Sequence, residues 1–246
     1  MRFEEILLEA HFKFNLGEQF TFLLGSSSQL IKVEPTAERF ITNFSENGLD
    51  SATVFTRKFW SGITSVLEID TRNKEILTER GIQWKTSLGY FAGLSPGIES
   101  YGSFKTDFKF FYSFKLPSRV TFSNRTGFAQ VWGNYEFYQA PYLGAHDNLR
   151  GFRKYRFAGE RMIFNNTEIN VKLLNVRAYI LPTQIGLSVF YDTGIVSVEE
   201  QESTEWHNGY GAGVWVAPAR IIFMSLQYGH SDEGWFPSFQ FKFSLN

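Results

Sequence analysis

Cysteine is absent from all 246 residues, which excludes disulfide staples and thiolate metal sites. The four histidines, His11, His146, His207 and His230, are scattered with no i, i+4 or other ligand-like pairing, so neither a metal site nor a cofactor is expected. Long apolar runs are also missing. Nothing approaches the roughly 18 residues that a transmembrane helix needs, and the start at Met1 to Glu5 has neither the charged n-region nor the apolar core of a signal peptide. If the protein is exported, its signal is not on this chain. A net charge of −1 supplies no field to attract nucleic acid, and no basic stripe is interleaved with aromatics, so nucleic acid is set aside as a partner. Prolines number only seven against 21 glycines, a balance that argues against disorder.

What is present is aromatic. The chain holds 27 phenylalanines, 11 tyrosines and six tryptophans, yet 20% of its residues are charged, so rings and polar groups must alternate. Residues 103–116 show the alternation best. Phe104, Thr106, Phe108, Phe110, Tyr112, Phe114 and Leu116 fall on one side, and Ser103, Lys105, Asp107, Lys109, Phe111, Ser113 and Lys115 on the other. A strand that long exceeds the ~5–6 residues usual in globular proteins and suits a tilted bilayer-spanning strand. The pattern returns at 81–90 (Ile82, Trp84, Leu88, Tyr90), at 222–228 (Ile222, Met224, Leu226, Tyr228) and at the end of the chain (Phe239, Phe241, Phe243, Leu245). Soluble lipocalin-like barrels are the main alternative. They put apolar residues inside, whereas faces of Phe and Tyr opposed by Lys, Asp and Ser fit lipid outside.

The expected fold is therefore all-β, an antiparallel transmembrane barrel of the outer-membrane type with about 11–12 strands in this chain. About eleven strands are expected near 6–16, 18–29, 52–70, 81–93, 102–116, 119–133, 161–181, 185–198, 207–218, 220–230 and 237–245. The whole of 1–246 reads as one barrel domain. Connections at Leu116 to Arg119, Pro182 to Gln184 and Pro218-Ala219 are tight, whereas 30–50, 94–101, 134–160, 199–206 and 231–236 are longer, the asymmetry of an outer-membrane barrel. The polar segment 71–80 is a longer exception on the short-turn side. Trp132, Tyr135, Tyr138 and Tyr142 fall where an aromatic girdle would sit. An odd strand count does not close antiparallel with both termini on one side. Either a strand is hidden in 30–50, around Phe40 to Phe44, or strands are missing before the chain starts.

Chemistry and periodicity meet in 144–194. A loop carries Leu149-Arg150-Gly151-Phe152, and two alternating strands follow it. Along 167–173 the polar side holds Glu168, Asn170 and Lys172. Along 185–192 the side opposite Ile185, Leu187, Val189 and Tyr191 holds Gly186, Ser188, Phe190 and Asp192. Two carboxylates thus face one way near an arginine-bearing loop. A buried guanidinium cannot lose its proton and needs such a carboxylate; otherwise Arg150 is an ordinary solvated arginine, and Glu168 an ordinary lumen-lining carboxylate. Gly209, Gly211 and Gly213 alternate along a strand with no helix after them, which argues against a nucleotide loop and for space left to an approaching segment. No serine sits on a strand-to-helix elbow, and no enzyme activity is expected.

These residues resemble those of the BamA/TamA-like outer-membrane assembly barrels, the bacterial surface antigen family. The resemblance is carried by Leu149-Arg150-Gly151-Phe152, by Gly159 with Glu168 nine residues on, by Val189 to Gly194 and by the five strands after the loop; it extends over 52–133 and thins before that. The turn ending Glu79-Arg80-Gly81 is also similar to a periplasmic turn of these barrels. The resemblance implies a bacterial outer-membrane location, a sixteen-stranded barrel of which this chain would be part, and a long loop, here 134–160, folded back into the lumen. Arg150, Gly151 and Phe152 would form the tip, Asp192 the acidic partner, Phe190 a ring beside it and Glu168 a nearby carboxylate. It implies insertion or translocation of proteins, with outer-membrane lipid and client outer-membrane or exported proteins as partners. Two other roles stay open: a membrane anchor or secretion barrel for an enzyme domain encoded elsewhere, and a passive pore.

Overall fold

The computed structural model describes residues 3–34, 55–145, 148–177, 181–198 and 205–244. Thirteen strands lie in them: β1 (Phe3–Asn15), β2 (Phe20–Val33), β3 (Lys58–Asp70), β4 (Arg80–Gly93), β5 (Tyr101–Leu116), β6 (Ser118–Gly133), β7 (Tyr142–Leu143), β8 (Phe157–Ala158), β9 (Arg161–Val176), β10 (Thr183–Ser197), β11 (His207–Pro218), β12 (Ile222–Ser231) and β13 (Gly234–Phe243). Eleven form one antiparallel sheet in the order β1-β2-β3-β4-β5-β6-β9-β10-β11-β12-β13, and β7 pairs with β8. Apart from the excursion through β7 and β8, each strand pairs with its neighbour in sequence. The sheet curls around an inner face but does not close, because β1 and β13 each keep one unpaired edge.

Period-two patterning sets which face is which. In β10 the even residues from Gln184 to Val196 are buried and the odd ones are not, so Leu187, Val189 and Tyr191 project outward at 45–50% exposure. The same outward band continues through Phe110, Tyr112 and Phe114 of β5, Leu226 and Tyr228 of β12, and Phe239 and Phe241 of β13. Exposed apolar patches on soluble monomers seldom exceed a few hundred Å², so a band running over strand after strand marks a lipid-facing wall. Inside, Ser27, Ser188, Asp192, Ser225 and Gln227 are buried and polar. Leu226→Arg would accordingly set a charge against hydrocarbon and should destabilise the protein by about 2–4 kcal/mol, whereas Ser238→Arg, on the inner face of β13, should cost far less. Guanidinium titration in bilayers compares them; equal costs would reject a lipid-facing Leu226.

Several boundaries differ from the sequence expectation. The segment 231–236 is not a longer loop: Ser231 pairs with Gly234, and Gly234 takes φ +110° to close a two-residue turn at Asp232-Glu233. Strand β13 therefore starts three residues before 237 and runs through Pro237, which an edge strand accommodates because one side of its ladder is unpaired. Strand β9 stops at Val176 rather than 181, and β10 starts at Thr183 across a bulge between Ile185 and Gly186. The expected segment Phe40 to Phe44 lies outside the described residues. The 71–80 connection joins β3 to β4 at the end where Pro117 and residues 219–221 also turn, and it bends inward, burying Ile76 and Thr78.

Candidate functional site

Four neighbouring strands present three inner rows. Pairing aligns Asn166, Asp192 and Gly209; then Glu168, Phe190, Gly211 and Gly229; then Asn170, Ser188, Gly213 and Gln227. Each row carries polar groups on β9, β10 or β12 beside glycine on β11 or β12. The rows form a trough with acidic walls and a floor without side chains.

The loop between β6 and β9 fills that trough. Its β7–β8 hairpin narrows the neck, where the Asn148 carboxamide accepts from Gly144 N (3.0 Å) and donates to the Tyr142 carbonyl (2.9 Å), while Asn166 of β9 donates to the Asn148 carbonyl (2.8 Å). Leu149 and Phe152 are fully buried in an apolar cluster with Leu143, Met162, Phe164 and Val196. Between them Arg150 reaches the polar rows. Its Nε and Nη2 donate to the two oxygens of Asp192, each at 2.7 Å, and its backbone N donates to Oδ2 at 2.9 Å. Nη1 donates to Glu168 and to Gln227 Oε1 (2.9 Å), and the guanidinium carbon lies 3.8 Å from the centroid of the Phe190 ring. Burial alone would lower the pKa of Arg150, but the Asp192 hydrogen bonds and the charges of Asp192 and Glu168 outweigh it and raise it. Asp192 itself is wholly buried. This is a largely buried, bidentate ion pair in which four of the five guanidinium N–H groups have acceptors, the arrangement in which such a pair gives geometric specificity.

Arg150, Gly151, Phe152, Glu168, Phe190 and Asp192 are thus brought together. Gly151 takes φ +92°, a left-handed turn that suits glycine, and its carbonyl accepts from Ser231 Oγ. Of the glycines on β11 only Gly209 faces the loop directly, since a Cβ there would collide with the Arg150 carbonyl oxygen; at Gly211 and Gly213 a Cβ would first meet the β12 backbone, and at Gly211 the Phe190 ring next. Gly209→Ala should therefore lift the tip out of its seat at about 1–3 kcal/mol, the usual range for overpacking. Faster tryptic cleavage at Arg153, Lys154 and Arg156 in a still folded barrel is the expected readout.

Sequence reasoning passed over Gln227, Ser188, Gly229 and Ser231. Gln227 bridges the site, donating to Glu168 (3.1 Å) and Ser188 (3.0 Å). Its inward phase on β12 was readable, but its partners were not. A second anchor was missed as well. At the start of the loop Glu136 pairs with the buried Lys58 of β3, and Tyr138 packs edge-on against Trp60 (6.2 Å), beside the stacked Phe91–Tyr101 pair (4.8 Å). Tyr135 and Tyr138 thus join an inner cluster instead of a lipid-interface girdle, because the chain turns inward around Phe137–Gln139. Trp132 is exposed, and Tyr142 is half-buried with its hydroxyl on the Phe137 carbonyl (2.5 Å). The histidines are dispersed: His11 bonds Thr64 (2.8 Å), His207 stacks on Phe157 (3.6 Å), His230 abuts Trp235 (4.7 Å), and His146 lies outside the described residues.

A curled antiparallel sheet, apolar outside and polar within, with a long loop ion-paired to its inner wall, is the architecture of an outer-membrane-type β-barrel wall. Residues 2–246 match the Omp85 superfamily domain, and the chain belongs to that superfamily. Among solved structures it is similar to the crystal structure of BamA from Haemophilus ducreyi lacking POTRA domains 1–3, with TM-score 0.71 and 15% identity over 97% of this chain and 53% of that one. The chain spans about half the length of that BamA chain. A comparison with curated proteins gives no match. The resemblance to BamA/TamA-like barrels and the all-β, antiparallel barrel class are borne out.

Proposed function

We propose that this chain is the barrel portion of a protein that inserts or translocates other proteins at the bacterial outer membrane, and that it acts without enzymatic chemistry. The observation that carries the reading is the seating of Arg150 on Asp192, Glu168 and Phe190 inside a lipid-facing sheet, within a chain of the Omp85 superfamily. In this reading Arg150, Gly151 and Phe152 are a latch that holds the 134–160 loop in the lumen, and client outer-membrane or exported proteins engage the open seam. The backbone of β1 and β13 supplies the physical basis. Unpaired N–H and C=O groups cost several kcal/mol each in hydrocarbon, so both edges demand partner strands. With eleven strands the two edges run parallel, and antiparallel closure takes an odd number of further strands, five in a sixteen-stranded barrel.

The test is a folding assay in proteoliposomes that contain this protein and receive an unfolded outer-membrane barrel as client. Client folding, followed by its heat-modifiable electrophoretic mobility, should accelerate with the parent protein and lose that acceleration with Arg150→Ala. Acceleration that survives both Arg150→Ala and Asp192→Ala would reject the latch as the working part. A large ion conductance with no effect on client folding would favour a pore instead.

A further inference from the structure

Below the latch, on the side of the short turns, the lumen holds a cavity of about 610 Å³. Its wall is rich in cations whose partners can be assigned one by one. Arg72 pairs with Asp70 (2.6 Å), and Arg119 pairs with Glu79. Arg125 donates to Asp107 Oδ2 (2.6 Å), and Lys109 shares that carboxylate at 3.7 Å while donating to Gln83 (3.2 Å). Two lysines are left over. Among the described residues neither Lys172 nor Lys242 has a hydrogen-bond or ion-pair partner, though both line the cavity.

Their placement is specific. Lys242 of β13 pairs in register with Phe223 of β12, and its Nζ lies 5.7 Å from the centroid of that ring. Phe223 stacks on the buried Trp215 (6.0 Å), whose indole covers Gly186, and Gly186 pairs with Lys172 of β9. The aromatic floor thus has the Lys242 ammonium over its Phe223 end, and Lys172 sits in register beside the Gly186 that its Trp215 end covers. Ammonium groups that line a walled cleft with no carboxylate in direct contact give it a focused positive field, which an entering anion relieves. The guanidinium groups nearby are committed to carboxylates, so the free capacity belongs to ammonium ions, which bind phosphate as point charges.

We propose that this lumenal cavity is an anion-binding site for a phosphate-bearing ligand, held by Lys172 and Lys242 over the Trp215–Phe223 floor. The phosphate is either free in solution or the headgroup of a lipid, and the two sources are separable. Protein in maltoside micelles, which contribute no phosphate, is titrated with inorganic phosphate and, separately, with dihexanoyl phosphatidic acid below its critical micelle concentration. Binding is read by calorimetry and by tryptophan fluorescence, with Trp215→Phe locating the optical signal. Saturable binding that weakens about tenfold or more in Lys172→Gln and in Lys242→Gln, a loss of about 1.4 kcal/mol each, supports the site. It should persist in Lys172→Arg, Lys242→Arg and Lys85→Gln. Binding of phosphatidic acid alone assigns the site to a headgroup, and binding of inorganic phosphate assigns it to a soluble anion. No saturable binding of either probe, or binding unchanged in the double glutamine variant, overturns the proposal, with heat-modifiable mobility confirming that each variant is folded.

Discussion

Asp192→Ala should release the 134–160 loop and destabilise the protein by about 3–5 kcal/mol, the range for removing one partner of a buried ion pair. Asp192 accepts three hydrogen bonds from Arg150, two from the guanidinium and one from the backbone N. With its carboxylate gone the guanidinium keeps Glu168 and Gln227 but loses the bidentate contact, and the Arg150 N–H loses its acceptor. Arg150→Ala should be similarly damaging, because it strands a wholly buried carboxylate with only the residue-150 N–H as donor. The double variant should cost less than the two single losses added together, since no lone charge then stays buried. Asp192→Asn preserves shape and one acceptor and should fall between the parent and Asp192→Ala. Urea titration in bilayers measures the energies, and trypsin cleavage at Arg153 and Arg156 reports whether the loop has left its seat. If Asp192→Ala leaves both the urea midpoint and the cleavage rate unchanged, the pair does not hold the loop.

The second large effect is expected at the opposite wall. Trp60→Ala should destabilise by about 3–5 kcal/mol, as truncation of a buried aromatic does, with most of the loss falling on the first part of the same loop. Trp60 is fully buried, meets Tyr101 and Tyr138 edge-on at 6.3 and 6.2 Å, and donates through Nε1 to the Glu99 carbonyl (3.3 Å). Its removal takes away the Tyr138 contact that ties the loop to β3, leaving that ring its neighbour Phe137, and opens a void between β3, β5 and the loop. The neighbouring Lys58–Glu136 pair should then fray. Residues 134–140 should exchange amide hydrogens faster while the Arg150 tip stays protected, because the two anchors sit on different strands. Uniform deprotection of the whole loop would mean that the anchors act as one unit, and unchanged exchange at 134–140 would remove the second anchor altogether.

Much of the site was legible before the fold. The inward direction of Glu168, Phe190 and Asp192 followed from alternation along β9 and β10, and the space at Gly209 followed from glycine inside a strand. Gln227 alternates with the outward Leu226 and Tyr228 and so faces inward on β12, but its place in the site was not legible, because its contact with Arg150 spans 77 residues and depends on the register of every pairing from β9 to β12. Tyr135 and Tyr138 were misread for a different reason. Loop residues carry no periodicity, so nothing local states whether a ring there faces lipid, water or the lumen. The β13 boundary moved because Pro237 reads as a break, and only an edge position makes it acceptable.

By itself the sequence determined that this is an antiparallel β protein with an apolar outside and a polar inside, because the alternation of side chains is a property of the backbone at each residue and needs no partner strand. Only the tertiary structure decided which inward groups meet. Register placed Asp192 beside Gly209 and opened the trough, curvature brought Lys172 and Lys242 onto one cavity, and the loop came to rest against two walls through Arg150 and Tyr138. Those contacts join residues far apart in the chain, and their geometry is set by the pairing of many strands at once, which no local pattern encodes.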